Sequence, residues 1–235
     1  TLMRMKSAID AGRIICYATA LAADEAQIAL DPEDRAYAKR REEILTPISK
    51  AWCTDRAIEI TSAGVQIHGG MGFVEETGAA QHLRDSRIAA IYEGTNGIQA
   101  LDLVGRKLSM QNGLAFDELI EDMRETLDDL ATSSNEKLPM IARRLAVAVD
   151  ALEEAGHWMR ETLPVDQRGA LAGATSFLKL AGDVTAGWML ARGALAAQRL
   201  IKEGEGASVE ADLRIRLARF FPKPCLPSRR AWWRR

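Results

Sequence analysis

Apolar residues recur three and four positions apart along almost the whole chain, and no stretch sustains the every-second-residue alternation, closed by hairpin turns, that a half-buried strand requires. That spacing confines the chain to the all-α class, in which each helix must bury one stripe against another helix. A first helix is predicted from Leu2 to Leu30 and ends at Asp31-Pro32, since proline is welcome only in a helix's first turn. A second is predicted from Glu33 to Val65, with Ile44, Ile48 and Trp52 on its buried stripe and Thr46-Pro47 marking a kink or a fresh start.

The segment "QIHGGMGFVEETG" interrupts this pattern, because Gly69, Gly70, Gly72 and Gly78 permit positive φ or close approach of backbone to a ligand. A short helix is predicted from Ala79 to Ile91. Thr95 then caps a further helix, with Ile98, Leu101, Val104 and Leu108 expected on one face. After "SMQNG" the texture changes to amphipathic helices at about 117–131, 136–161 and 167–203. Trp158 and Trp188 fall at core spacing on these helices.

The organisation read from this is an antiparallel helical bundle over 1–108, a linker at 109–114, a second helical domain over 115–220 and a tail over 221–235. In "FPKPCLPSRRAWWRR", Pro222, Pro224 and Pro227 forbid continuation of the helix and predict disorder. The chain opens at Thr1 on an apolar pattern already in helical phase, as expected of a chain entered in mid-fold.

Charge and cysteine content narrow the partners. With 31 Lys+Arg against 33 Asp+Glu the formal charge is −2, so no global field favours nucleic acid or an anionic membrane. Cys16, Cys53 and Cys225 are widely spaced and form no CxxC or Cys/His cluster, which argues against a disulfide framework and a metal site and for a reducing compartment. No apolar run approaches the ~20 residues that span a bilayer, and the first 20 residues lack the ordered regions of a signal peptide. The expectation is a cytoplasmic protein that handles a small molecule or another protein.

The segment "IAAIYEGTNGIQ" carries the chemistry. Taken alone, Glu93 is a carboxylate two residues before a helix cap, which the partial positive charge of a helix N-terminus stabilises without further purpose. Its neighbours point further: Gly94 removes bulk beside the carboxylate, Tyr92 and the run Ile88 to Ile91 form an apolar wall, and the amides after Thr95 form an anion-receptive end. An acid in such a wall should have a raised pKa, which suits a general base near neutral pH. His68 has no partner at metal-ligand spacing and reads as a loop-ordering residue, with His82 and His157 carrying still less context. Glu75-Glu76 reads as a solvated surface or a cap. The Gly-rich segment matches neither a Walker loop nor a dinucleotide fingerprint.

Taken together, "QIHGGMGFVEE", "LRDSRIAAIYEGTNGIQ" and "LVGRKL" resemble the carboxy-terminal helical domain of the acyl-CoA dehydrogenases over residues 1–108. The helical unit from about 115 to 220 is similar to the extra C-terminal domain of the longer, methylthiopropanoyl-CoA dehydrogenase-like members. The resemblance implies that Glu93 is the catalytic base, taking the α-proton of an acyl-CoA thioester while the β-hydrogen leaves as hydride to N5 of FAD. It implies that Tyr92 and Gly94 line the thioester region, with the Glu93 N–H polarising the carbonyl. Thr95 and the backbone at Asn96 and Gly97 match the segment that contacts the flavin, and Gln66, Gly69 and Gly70 a loop that touches the ADP portion of an FAD bound mainly to a neighbouring subunit. Where many members carry a longer polar side chain, Gly97 offers only backbone.

The same resemblance implies a homodimer or homotetramer, an electron-transferring flavoprotein or similar acceptor, and two earlier domains, one helical and one β, that complete the site. The alternative is a catalytically inactive helical fragment, or an oligomerisation or interaction module that retains the motif.

Overall fold

The computed structural model describes residues 1–204 and 208–221, and among them the regular elements are all helical. α1 (Leu2–Ile28) and α2 (Pro32–Ile67) form a long hairpin. α2 starts where the sequence places it: Asp31 accepts from the Glu33 amide at 2.6 Å, Pro32 fills the first turn, and Glu33 and Asp34 meet the positive end of the helix dipole.

Pro47 neither ends α2 nor starts a new helix. It is buried in a helix that continues to Ile67, and Thr46 Oγ1 donates to the Glu42 carbonyl at 2.7 Å in the turn where the proline lacks an amide. Packing of the flanking Leu45, Ile48 and Trp52 outweighs the one missing hydrogen bond.

α3 (Ala79–Ala89) folds back on the end of α2, and Thr61 Oγ1 and Ser86 Oγ meet at 3.0 Å between them. α4 (Asn96–Asp102) runs into a π-helical turn at Leu103–Lys107, closed by the Leu108 amide on the Leu103 carbonyl at 2.9 Å. The buried stripe here is Ala100, Leu103, Val104 and Leu108, while Ile98 and Leu101 are exposed. The predicted stripe therefore mixed two faces of an element that is apolar on both.

α5 (Leu114–Ala131) and α6 (Leu138–Thr162) pair next, with Phe116, Leu119, Ile120, Met123, Leu127 and Leu130 buried along α5 at helical spacing. The helix predicted over 167–203 is two, α7 (Gln167–Ala172) and α8 (Ala174–Glu203), divided at Gly173, where a Cβ would come within 2.7 Å of Met159 Cε. α9 (Ser208–Phe220) follows.

α8 is the centre of the molecule. Every residue from Leu180 to Ala191 is buried, and α8 packs against α1, α2, α4, α5, α6 and α9. Apolar side chains from Ala11 to Phe221 consequently form one continuous core. Arg40 grips Glu118 through two hydrogen bonds of 2.8 and 2.5 Å, and Arg41 pairs with Asp122, tying α2 to α5. Between Leu108 and α5, Gln111, Asn112 and Gly113 are all left-handed, with φ of 52°, 59° and 91°. Of the expected tail, Phe221 is described and buried, and 222–235 lie outside the described residues.

Candidate active site

Glu93 sits on the turn between α3 and α4. The amides of Ile91 and Tyr92 both bond to the Ile88 carbonyl, at 2.9 and 3.1 Å, and the Asn96 amide reaches back to the Ala90 carbonyl at 3.2 Å. Within that closed turn Glu93 adopts φ 53° and Gly94 φ 85°, two left-handed residues in succession. A left-handed glutamate is disfavoured by ~1–2 kcal/mol because its Cβ crowds the following carbonyl, so the surrounding bonds must impose it. Gly94 escapes that cost, and a Cβ there would also press to 3.1 Å from the Gln99 side-chain nitrogen. Thr95 Oγ1 accepts from the Ile98 amide at 3.2 Å and caps α4 as its sequence position predicts.

The clamp that holds the turn is the Asn96 side chain. Its Nδ2 lies 2.7 Å from Asp55 Oδ1, 2.9 Å from Thr54 Oγ1 and 3.2 Å from the Ala51 carbonyl. Its Oδ1 accepts from Lys50 Nζ at 2.9 Å and from Thr54 Oγ1 at 3.2 Å. One amide thus fastens the first residue of α4 to the stretch of α2 from Lys50 to Asp55. The resemblance drew attention only to the Asn96 backbone, and nothing in the spacing of α2 singles out Lys50, Thr54 or Asp55.

The carboxylate is exposed, and the apolar wall beside it stands open: Ile88, Ile91, Tyr92 and Ile98 are each about half accessible. Among the described residues, the Glu93 N–H donates to no protein acceptor, which leaves it available to a ligand oxygen.

Gln66, Gly69 and Gly70 form a separate place. They lie at the far end of α2, where Gly69 has φ 62° and Cβ atoms at 69 or 70 would meet nothing within 4 Å, so their backbone is open to a ligand. Gly72 serves packing, since a Cβ there would come within 2.2 Å of the Val65 carbonyl and push the loop off α2. Asn96 meets α2 no further along than Asp55, 11 residues before Gln66, and at 1.5 Å per residue the two places are about 16 Å apart. The fold thus gathers Tyr92, Glu93, Gly94, Thr95, Asn96 and Gly97 on one turn and leaves Gln66, Gly69 and Gly70 remote from it.

His68 Nδ1 lies 2.8 Å from the Gly64 carbonyl and orders the loop. Glu75 pairs on the surface with Arg84 at 2.6 Å. Trp188 is buried and donates to Thr126 Oγ1 at 2.8 Å, whereas Trp158 is 39% exposed, so its place on α6 is at the edge of the buried stripe. Cys16 and Cys53, unrelated by spacing, become neighbours because α1 and α2 are antiparallel, with sulfurs 3.9 Å apart.

Residues 1–108 match the family model described as acyl-CoA dehydrogenase, C-terminal domain, and residues 119–235 the model described as acetyl-CoA dehydrogenase C-terminal like. The chain is 41% identical over 213 residues to 3-methylmercaptopropionyl-CoA dehydrogenase of Ruegeria pomeroyi, a match that covers 90% of this chain and 36% of that protein. It is 30% identical over 212 residues to a butyryl-CoA dehydrogenase of Syntrophomonas wolfei, covering 87% of this chain and 33% of the relative. The chain therefore spans about a third of the length of the curated relatives it matches.

In fold it resembles an acyl-CoA dehydrogenase complexed with FAD from Bacillus anthracis, with a TM-score of 0.73 at 19% identity over 96% of this chain and 39% of that one. It also resembles Caenorhabditis elegans ACDH-11 in complex with C11-CoA, with a TM-score of 0.70 at 20% identity over 94% and 35%.

Proposed function

The chain belongs to the acyl-CoA dehydrogenase family, and from that premise we propose that it supplies the base and part of the flavin site for α,β-dehydrogenation of an acyl-CoA thioester. The observation that carries this reading is the left-handed Glu93, held against its own backbone preference by a turn that Asn96 bolts to α2. A carboxylate needed only to stabilise a helix end has no use for that strain, whereas a base that must meet one C–H bond does.

Glu93 removes the α-proton. The open wall of Ile88, Ile91, Tyr92 and Ile98 becomes the dry side of the pocket once an acyl chain lies on it, and a carboxylate shielded from water is a stronger base toward a weakly acidic carbon. The Glu93 N–H is available to the thioester oxygen, where negative charge develops as the proton leaves. Gly94, without a side chain, lets the thioester approach.

The residues present fit FAD in two places. Gly69 and Gly70 leave their backbone open beside the exposed Gln66, where they would hold the ADP portion, and Thr95 with the backbone at Asn96 and Gly97 would hold the flavin end. FAD bound there supplies the acceptor for the β-hydrogen. In the homodimer or homotetramer that the resemblance implies, these two places would serve different FAD molecules. The electron acceptor in this reading is an electron-transferring flavoprotein or a similar carrier.

The test is Glu93→Gln in the intact enzyme, which keeps size and hydrogen bonding and removes the base. Turnover of an acyl-CoA, read with a dye acceptor, should fall by ~10²-fold or more while flavin content is unchanged. Near-normal turnover refutes the assignment.

A further inference from the structure

Across the seam between α1 and α2, Cys16 and Cys53 bring their sulfurs to 3.9 Å, and Ser49 Oγ lies 3.6 Å from the Cys16 sulfur. The Cys53 sulfur also lies 3.7 Å from the Gly12 carbonyl. Cys16 is exposed, and Cys53 sits half-buried behind it. The helices run close because the seam is lined by small residues: Ala8, Ala11 and Ala51 are buried there, and a Cβ on Gly12 would meet Cys53 Sγ at 3.6 Å.

We propose that Cys16 and Cys53 are a reversible dithiol–disulfide site at which a hydroperoxide joins α1 covalently to α2. The sulfurs stand about 2 Å beyond disulfide bonding distance, a gap that side-chain rotation and a small slide along the Ala/Gly seam can close.

The hydrogen bond shared with Cys53 and, secondarily, the one from the Ser49 hydroxyl bring the Cys16 thiol down to about 6, against the opposing effect of burial. The Cys53 thiol is pushed up, first by its bond to Cys16 and then by its own burial. The pair therefore divides into an exposed nucleophile and a protonated partner behind it.

The chemistry balances in two steps. The Cys16 thiolate attacks one oxygen of hydrogen peroxide, the O–O bond breaks as the S–O bond forms, and the departing hydroxide takes a proton to become water. The Cys53 sulfur, giving up its proton, then attacks Cys16 sulfur, and the S–S bond forms as the S–O bond breaks and a second water leaves. Two thiols are oxidised and one peroxide is reduced.

Cys53 adjoins Ala51, Thr54 and Asp55, the residues on which Asn96 is fastened, so oxidation would act on the turn of α2 that holds Glu93. The thiol chemistry itself does not depend on Glu93 being a base.

The experiment uses the full chain carrying Cys225→Ser, which removes the third thiol. The reduced protein is treated with a modest excess of hydrogen peroxide, remaining thiols are alkylated, and the digest is read by mass spectrometry. The expected product is one peptide pair linked through Cys16 and Cys53, lighter by two hydrogens than its parts and separated by dithiothreitol. In Cys53→Ser, Cys16 should stop at the sulfenic acid and react with dimedone. Disulfides only between molecules, sulfinic acids on unlinked peptides, or two thiols still open to alkylation would each overturn the proposal.

Discussion

The indole nitrogen of Trp52 donates to Asp183 Oδ1 at 2.8 Å inside the core, joining α2 to α8 across 131 positions of sequence. Asp183 is 4% exposed, and its other oxygen accepts from Lys179 at 2.8 Å, so the buried carboxylate is paired on both sides. Asp183→Ala leaves a buried N–H without an acceptor and should cost ~1–3 kcal/mol. Thermal unfolding followed by circular dichroism should then shift down by roughly 2–4 °C for each kcal/mol. Asp183→Asn keeps an acceptor and should lose less. Equal melting of all three proteins would show that the bond contributes nothing.

Gly182 offers a second probe of the same joint. A Cβ there would fall 2.2 Å from Trp52 Cδ1, and a buried indole has little freedom to move. Gly182→Ala should destabilise by ~1–3 kcal/mol, despite the better helix propensity of alanine. A rise in stability would mean that the joint has room to spare.

The strain at Glu93 predicts that stability and activity part company. Glu93→Gly relieves the left-handed backbone and should leave the protein about 1 kcal/mol more stable than Glu93→Ala, which loses the same carboxylate but keeps the Cβ. Both should be inactive in the intact enzyme. Identical unfolding midpoints for the two would remove the argument from strain.

Asn96→Ala removes the clamp while leaving the carboxylate in place. Amide exchange at 90–96 should accelerate by at least tenfold, since the turn loses its side-chain bonds to α2, and activity of the intact enzyme should fall without loss of Glu93. Unchanged exchange would show that the backbone bonds of the turn suffice.

We propose that the chain divides near 109–113, where three left-handed residues interrupt the helices. Hydrogen exchange should show two protected blocks on either side of a fast-exchanging link. Protection that runs evenly through Gln111, Asn112 and Gly113 would refute this.

Elements whose signals are local were legible in the sequence. Asp31-Pro32 opens α2, Thr95 caps α4, and the stripe on α5 follows from its own spacing, because caps and amphipathic faces are properties of neighbouring residues. The errors arose where burial is decided by distant elements. Pro47 begins no fresh helix, because packing on other helices carries α2 through it, and Ile98 and Leu101 lie on a face that the core does not cover. At the candidate site, Glu93 was found through a motif, whereas its clamp links Asn96 to Asp55 over 41 positions and leaves no periodic trace. The pairing of Cys16 with Cys53 was hidden for the same reason.

The central position of α8 also sets an order of events during synthesis. α1 and α2 leave the ribosome before α8, and their hairpin presents Trp52 with neither its packing partner at Gly182 nor its acceptor at Asp183. Nor can α8 wait as a stable helix alone, since its stretch from Leu180 to Ala191 has no polar face to keep in water. The 131 positions from Trp52 to Asp183 must therefore emerge before the face of the α1–α2 hairpin that α8 covers can close, and the nascent chain carries that apolar cleft open until then.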